Sequence, residues 1–268
     1  MTDSTTDYLQ DLIARMGTVE QTADSRDSVS WKACREAETL DDLSLLPLLE
    51  AIIATHPKPK ERQIRCDAYF VYGKILKNHF TEEGCAYLIG RLTMEKNKYA
   101  LYPLLDLLRD LPIPAEMDIA PILQCVRHEQ WTVRYSAIRA LGACSAEESR
   151  EALRWYLRQE DEKTYRQEII YAQASLGRIG TPEDIPLIEP RLRSRSRDVK
   201  LSAEIAIERI RARAAGEPDP WEPIQQEPVQ KDWLLLWFCT HRQTRHYSFT
   251  AASLSVWARD LVLSYKAR

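Results

Sequence analysis

Apolar and polar positions return along this chain in one fixed grouping: an apolar residue, a basic residue, two further residues, an alanine, and then a leucine or valine shortly before a glycine. The clearest copies are Ile64-Arg65-Cys66-Asp67-Ala68 running to Gly73, Val133-Arg134-Tyr135-Ser136-Ala137 running to Gly142, and Val199-Lys200-Leu201-Ser202-Ala203. In a fourth copy, Ile169-Ile170-Tyr171-Ala172 through Leu176-Gly177, the alanine and glycine stay while Ile169 occupies the basic place. Ile64, Ala68, Val71 and Ile75 fall three or four residues apart, as do Val133, Ala137, Ala140 and Leu141. Each copy therefore predicts an amphipathic helix whose small alanines let a neighbouring helix approach closely.

Before each such helix lies a second apolar run, and these align as Leu46-Pro47-Leu48-Leu49, Ala86-Tyr87-Leu88-Ile89, Ala120-Pro121-Ile122-Leu123, Ala152-Leu153-Arg154-Trp155 and Ile185-Pro186-Leu187-Ile188. Taking Leu48, Leu88, Ile122, Leu153 and Leu187 as equivalent gives spacings of 40, 34, 31 and 34 residues. That period belongs to stacked helical hairpins, which cannot bury their apolar stripes singly and must cover one another. Five hairpins are expected, at about 41–78, 81–110, 117–143, 145–178 and 182–213. Ser145 three residues before Glu148 reads as a capping box, and Thr181-Pro182 before Asp184 joins a capping hydroxyl to a proline at the first helical position. Pro47, Pro121 and Pro186 each lack an N–H, so kinked first helices are expected. Repeat two, Lys98-Tyr99-Ala100-Leu101-Tyr102-Pro103-Leu104, lacks the apolar-arginine opening and carries a proline in its second helix.

Residues 1–40 are expected to cap this array. A polar tail leads into a short helix over 7–17, with Tyr8, Leu9, Leu12, Ile13 and Met16 at helical spacing, then a loop over 18–28 and a helix near 29–38 bearing Trp31 and Cys34. Thr39-Leu40-Asp41-Asp42 has the form of a helix start. After the array at 41–215, residues 216–230 are proline-rich and read as a linker or strap. Residues 231–268 crowd Trp233 to Phe238 together and then space Leu254, Trp257, Ala258, Leu261, Val262 and Tyr265 as an amphipathic helix, read as a C-terminal cap, with a partner-binding or membrane-surface helix as the other reading.

The repeat unit resembles the HEAT family, in particular the short bacterial HEAT-like repeats that also occur in phycobilisome lyases. There a proline-containing first helix precedes a second helix opening Val-Arg-x-x-Ala-x-x-Ala-Leu-Gly, and Val133 to Gly142 follows that form throughout. The resemblance covers about residues 41–213. It implies an all-α fold, a right-handed α-α superhelix with the second helices lining its concave side, commonly a surface that grips another protein. The motif residues build the stack and carry no chemistry.

Composition changes this picture little. Net charge is −3 and hydrophobic residues make up 44% of 268, which excludes neither an enzyme nor a binding protein. Charge is uneven: residues 187–213 hold eight Lys/Arg against four Asp/Glu and residues 231–268 six against two, leaving −11 for the rest. The six cysteines are dispersed without a Cys-x-x-Cys pair and read as reduced core residues. None of the five histidines stands four residues from another, and His241, His246 and Cys239 match no ligand spacing, so neither metal nor cofactor is expected. Neither a signal peptide nor a membrane span is expected, since the longest apolar run, Trp233 to Cys239, is far short of the roughly 18 residues a spanning helix needs. A cytoplasmic location follows.

The expected function is a non-catalytic scaffold or adaptor whose concave face and aromatic C-terminal segment engage a protein partner, as an assembly subunit or an immunity-type protein. Contact residues are expected at Tyr69, Tyr72, Tyr135, Arg139, Tyr171 and Arg178, because tyrosine and arginine supply rigid area and hydrogen bonds at interfaces. The row Arg65, Arg134 and Lys200 is read as bracing against acidic residues of the next hairpin. Two alternatives follow from the resemblance: a HEAT-like DNA glycosylase acting on alkylated bases, for which Trp131 and Arg134 faintly match a Trp-x-x-Arg helix start, and a bilin lyase. Trp131 itself reads more simply as a hydrophobic end-plug. Nucleic acid is not favoured as partner, since the basic excess is confined to the last repeat and the tail.

Overall fold

The computed structural model describes residues 2–221, so the expectations for 222–268, which include most of the proline-rich stretch and the whole aromatic segment, lie outside the described residues. Helices α1 (Thr2–Met16) and α2 (Val29–Glu38) precede five hairpins. These are α3 (Leu46–Thr55) with α4 (Arg62–Asn78), α5 (Glu82–Met94) with α6 (Lys98–Leu108), α7 (Ala120–Cys125) with α8 (Trp131–Leu141), α9 (Glu147–Leu157) with α10 (Arg166–Ile179), and α11 (Ile185–Ile188) with α12 (Arg197–Ala215). The described residues contain no strand, only one isolated parallel bridge between Ile113 and Cys144, and the fold is an all-α solenoid.

The second helices α4, α6, α8, α10 and α12 each pack on the next. First helices meet less, and α3 with α5 and α7 with α9 barely touch. The closer packing therefore lies along the row of second helices. The motif residues explain the close spacing. Ala68, Ala137, Ala172 and Ala203 are fully buried. At Gly73 an added Cβ would lie 3.0 Å from the Leu107 side chain, at Gly142 2.9 Å from that of Ser175, and at Gly177 3.1 Å from the Ala206 backbone. These glycines serve close helix contact.

Helix α1 starts at Thr2, so the segment read as a polar tail is helical, and its Leu9, Leu12, Ile13 and Met16 are buried. It packs on α2, α3 and α4, while α2 lies against α4, giving the first hairpin a covering layer. Arg15 ties α1 to α2 through Glu36 at 2.7 Å.

Several start signals act differently from expectation. Pro47, Pro121 and Pro186 all lie in the first turn of their helices, where no intrahelical N–H is needed, so they begin helices and kink none. Thr39 is the C-cap of α2, its hydroxyl donating to the Glu36 carbonyl at 2.8 Å, and Asp42 caps the next turn by accepting from the Ser44 N–H. Ser145 forms no capping box: α9 starts after Ala146 without a side-chain cap, and Glu147 and Glu148 in its first turn meet the helix dipole instead. At Thr181 the expectation holds, with Asp184 accepting the Thr181 N–H at 2.8 Å.

Candidate functional site

The motif arginines are structural. Arg65 grips Glu95 of the second hairpin with two parallel bonds of 2.7 and 2.8 Å, and its remaining amino group donates to the carbonyls of His56 and Lys58. Tyr69 adds a 2.9 Å bond from its hydroxyl to Glu95. Burial works against the charge on Glu95, yet Arg65 and Tyr69 together hold its carboxyl below the usual range. Arg134 repeats the arrangement one motif later: it meets Glu168 at 2.9 and 3.1 Å and donates to the carbonyls of His128 and Glu129. Lys200 differs. Its one carboxylate among the described residues is Glu204 of its own helix, at 3.8 Å.

The six residues expected to contact a partner separate into two groups. Tyr69 and Tyr72 are each 1% exposed. Tyr72 donates to Glu50 at 2.9 Å and stacks on Tyr87 with ring centroids 5.1 Å apart, so both tyrosines belong to the interior of the first two hairpins. The other four lie on α8 and α10, where Tyr135, Arg139 and Tyr171 are half-buried and Arg178 is exposed. The rings of Tyr135 and Tyr171 are 5.2 Å apart, bridging the two helices, and Arg139 lies 5.9 Å above Tyr171. Trp131 continues the row at 5.3 Å from Tyr135 and is 42% exposed, so it is no buried end-plug.

One further part of this face was not foreseen. Tyr99, the second residue of α6, is 52% exposed, with the Arg62 guanidinium 5.2 Å and the Lys98 ammonium 5.1 Å from its ring centre. The signal was present in the sequence: an aromatic residue at the head of a second helix, before its apolar stripe begins, stands where the packed face has not yet formed. Trp131 occupies the same place in α8. Cations over a ring face of this kind are held electrostatically and stay available at their outer edge.

Between these aromatics and the C-terminal ends of the second helices lies a charged layer. Arg139 pairs with Asp106 at 3.1 Å. Burial pushes the Asp106 carboxyl up to about 6, against Arg109 and the Ser136 hydroxyl, which draw it down. Among the described residues no group of three or more His, Cys, Asp or Glu is disposed to hold a metal ion.

A family model matches the repeat part of this fold. An all-α stack of helical hairpins defines the class, and within it residues 119–208, from the start of the third hairpin into α12, match the family model described as HEAT repeats. No curated protein matches the chain. Similar solved structures include an engineered protein, at 14% identity and a TM-score of 0.41 over 76% of this chain and 97% of that one. A designed armadillo repeat protein has 12% identity and a TM-score of 0.42, over 75% of this chain and 99% of the other. No helix among the described residues is long and apolar enough to cross a membrane.

Proposed function

We propose that this protein is a non-catalytic scaffold that grips a partner protein with the inner face of its second helices. The observation that carries the reading is the half-open row of Trp131, Tyr135 and Tyr171 with Arg139 above it, continued at Tyr99 between Arg62 and Lys98. Tryptophan, tyrosine and arginine dominate binding energy at protein interfaces because they bring large rigid surfaces with few rotatable bonds. Arg134, the residue a base-excising reading needs, spends its donors on Glu168 and two carbonyls. The five cysteines among the described residues are free thiols, which suits a reducing compartment, and we place the protein in the cytoplasm.

The test is capture from the source cell with the wild-type chain and with Trp131→Ala and Tyr171→Ala. A stoichiometric protein is expected with wild type, its affinity falling by about tenfold or more in each variant. Recovery of nucleic acid alone, or of a partner indifferent to both substitutions, overturns the proposal.

A further inference from the structure

Five guanidinium groups, those of Arg109, Arg139, Arg178, Arg209 and Arg213, lie toward the C-terminal ends of α6, α8, α10 and α12, and one of them, Arg213, donates to the Gly177 and Gly180 carbonyls. Three have a carboxylate: Arg139 with Asp106 at 3.1 Å, Arg109 with Asp110 at 3.0 Å, and Arg209 with Asp219 at 3.0 Å. Arg178 has none among the described residues, where its two terminal nitrogens reach the Arg109 carbonyl, both at 3.4 Å, the outer limit of a hydrogen bond. The arginine is nevertheless exposed, and its long contacts run from α10 to the residue that ends α6. Burial by its surroundings, then Arg109 and Arg209, lower its pKa from the ordinary guanidinium value, against Asp110, which raises it. An exposed guanidinium thus stands on α10 with only long contacts to a carbonyl and no carboxylate bonded to it among the described residues.

Resting on the protein-binding reading, we propose that Arg178 is the docking point for an acidic side chain of the partner, a Glu or Asp whose carboxylate replaces the long contacts to the Arg109 carbonyl. A planar fork of N–H groups fits a carboxylate with two parallel bonds, a match no lysine offers. Tyr171 lies two helical turns earlier on α10 and packs the adjoining part of the bound segment. The chain's own residues 231–268 have the wrong sign for this place, with six Lys/Arg against two Asp/Glu. A nucleic-acid backbone fits poorly as well, because its phosphates would pass Asp106 and Asp110.

The experiment measures fluorescence anisotropy of a short labelled polyglutamate peptide at low ionic strength, with the full chain and with Arg178→Glu, Arg178→Lys and Arg195→Glu. Arg195 is exposed in the loop before α12, so its variant changes net charge equally at a different place. Polyglutamate binding is expected to weaken by about tenfold or more in Arg178→Glu, by an intermediate factor in Arg178→Lys, and by less than about twofold in Arg195→Glu. The inference is overturned if polyglutamate does not bind, if Arg195→Glu loses as much as Arg178→Glu, or if duplex DNA of equal charge displaces the peptide more effectively. The captured partner separates the two proposals: if Tyr171→Ala releases it while Arg178→Glu retains it, the inner face is the binding surface and the acidic docking point is wrong.

Discussion

The first and third hairpins open their second helices with the same apolar-arginine pair, Ile64-Arg65 and Val133-Arg134, yet the surroundings of the two arginines differ. Arg65 and Glu95 are sealed, with side chains 8% and 3% exposed, whereas Arg134 is 25% exposed over a buried Glu168. The cause lies one helical turn on. Four residues after Arg65 stands Tyr69, whose hydroxyl closes over Glu95; four after Arg134 stands Ile138, which has nothing to offer a carboxylate. In the third hairpin the tyrosine stands one residue after the arginine, at Tyr135, and turns toward the groove. A tyrosine's angular place on the second helix decides whether it locks the stack or stays half-open at the surface.

The sharpest way to break this comparison is to remove each arginine. Arg65→Met leaves Glu95 buried with only the Tyr69 hydroxyl, and losing one partner of a buried ion pair is expected to cost about 3–5 kcal/mol. Arg134→Met strands a carboxylate that water reaches more readily, and about 1–3 kcal/mol is expected. Urea unfolding of the two variants measures both. Equal losses would show that the seal around Glu95 adds nothing.

The stack itself was legible because the apolar stripe repeats at helical spacing and its period is the length of a hairpin; all five pairs stand where that spacing puts them. Residue-level roles were less legible. Tyr69 and Tyr135 are the same residue type near the same motif, and only the angle around the helix axis, together with what the next hairpin offers, sends one inward and the other out. Proline was misread for a related reason: at Pro47, Pro121 and Pro186 the composition is unchanged whether the helix starts before or at the proline, and the difference of one turn reverses its effect. Arg178 could be picked out by residue type, but that no carboxylate among the described residues bonds it depends on Asp106, Asp110 and Asp219 being taken by other arginines, which no local pattern records.

Glycine offers a second, smaller contrast. At Gly142 an added Cβ would meet the Ser175 side chain at 2.9 Å and its backbone Cα at 3.1 Å, where α8 and α10 touch. Ser175 cannot turn aside freely, because its hydroxyl donates to the Ile138 carbonyl at 2.9 Å. Gly142→Ala is expected to destabilise by about 1–3 kcal/mol through overpacking. Gly90, in α5 on the outer side, has nothing within 4 Å of the same added atom. Gly90→Ala is expected to stabilise by about 0.5–1 kcal/mol, from reduced freedom of the unfolded chain and better helix propensity. Thermal unfolding that showed the same sign for both would refute close helix contact as the purpose of the motif glycine.

The finest discrimination is between two buried carboxylates with opposite pH signatures. Glu95 is held below its ordinary value, so its contribution to stability is present above the unfolded pKa and lost as pH falls through the folded one. Asp106 runs the other way: burial raises it from 3.8 to about 6, so between those limits the folded state binds the proton more tightly, and stability decreases as pH rises. A single group of this kind contributes less than about 1.4 kcal/mol per pH unit. Asp106 faces Arg109 and Asp110 just past the end of its own helix, Ser136 and Arg139 on α8, and Tyr171 on α10, so Asp106→Asn should flatten the stability curve between about pH 4 and 6 without altering the acid limb that Glu95 governs. Protonation also removes the negative charge that faces Arg139, making this part of the surface more positive. Binding of an acidic segment should therefore strengthen as pH falls through about 6 in the wild-type chain and lose that dependence in Asp106→Asn; a pH-independent affinity in both would separate Asp106 from the groove's recognition of charge.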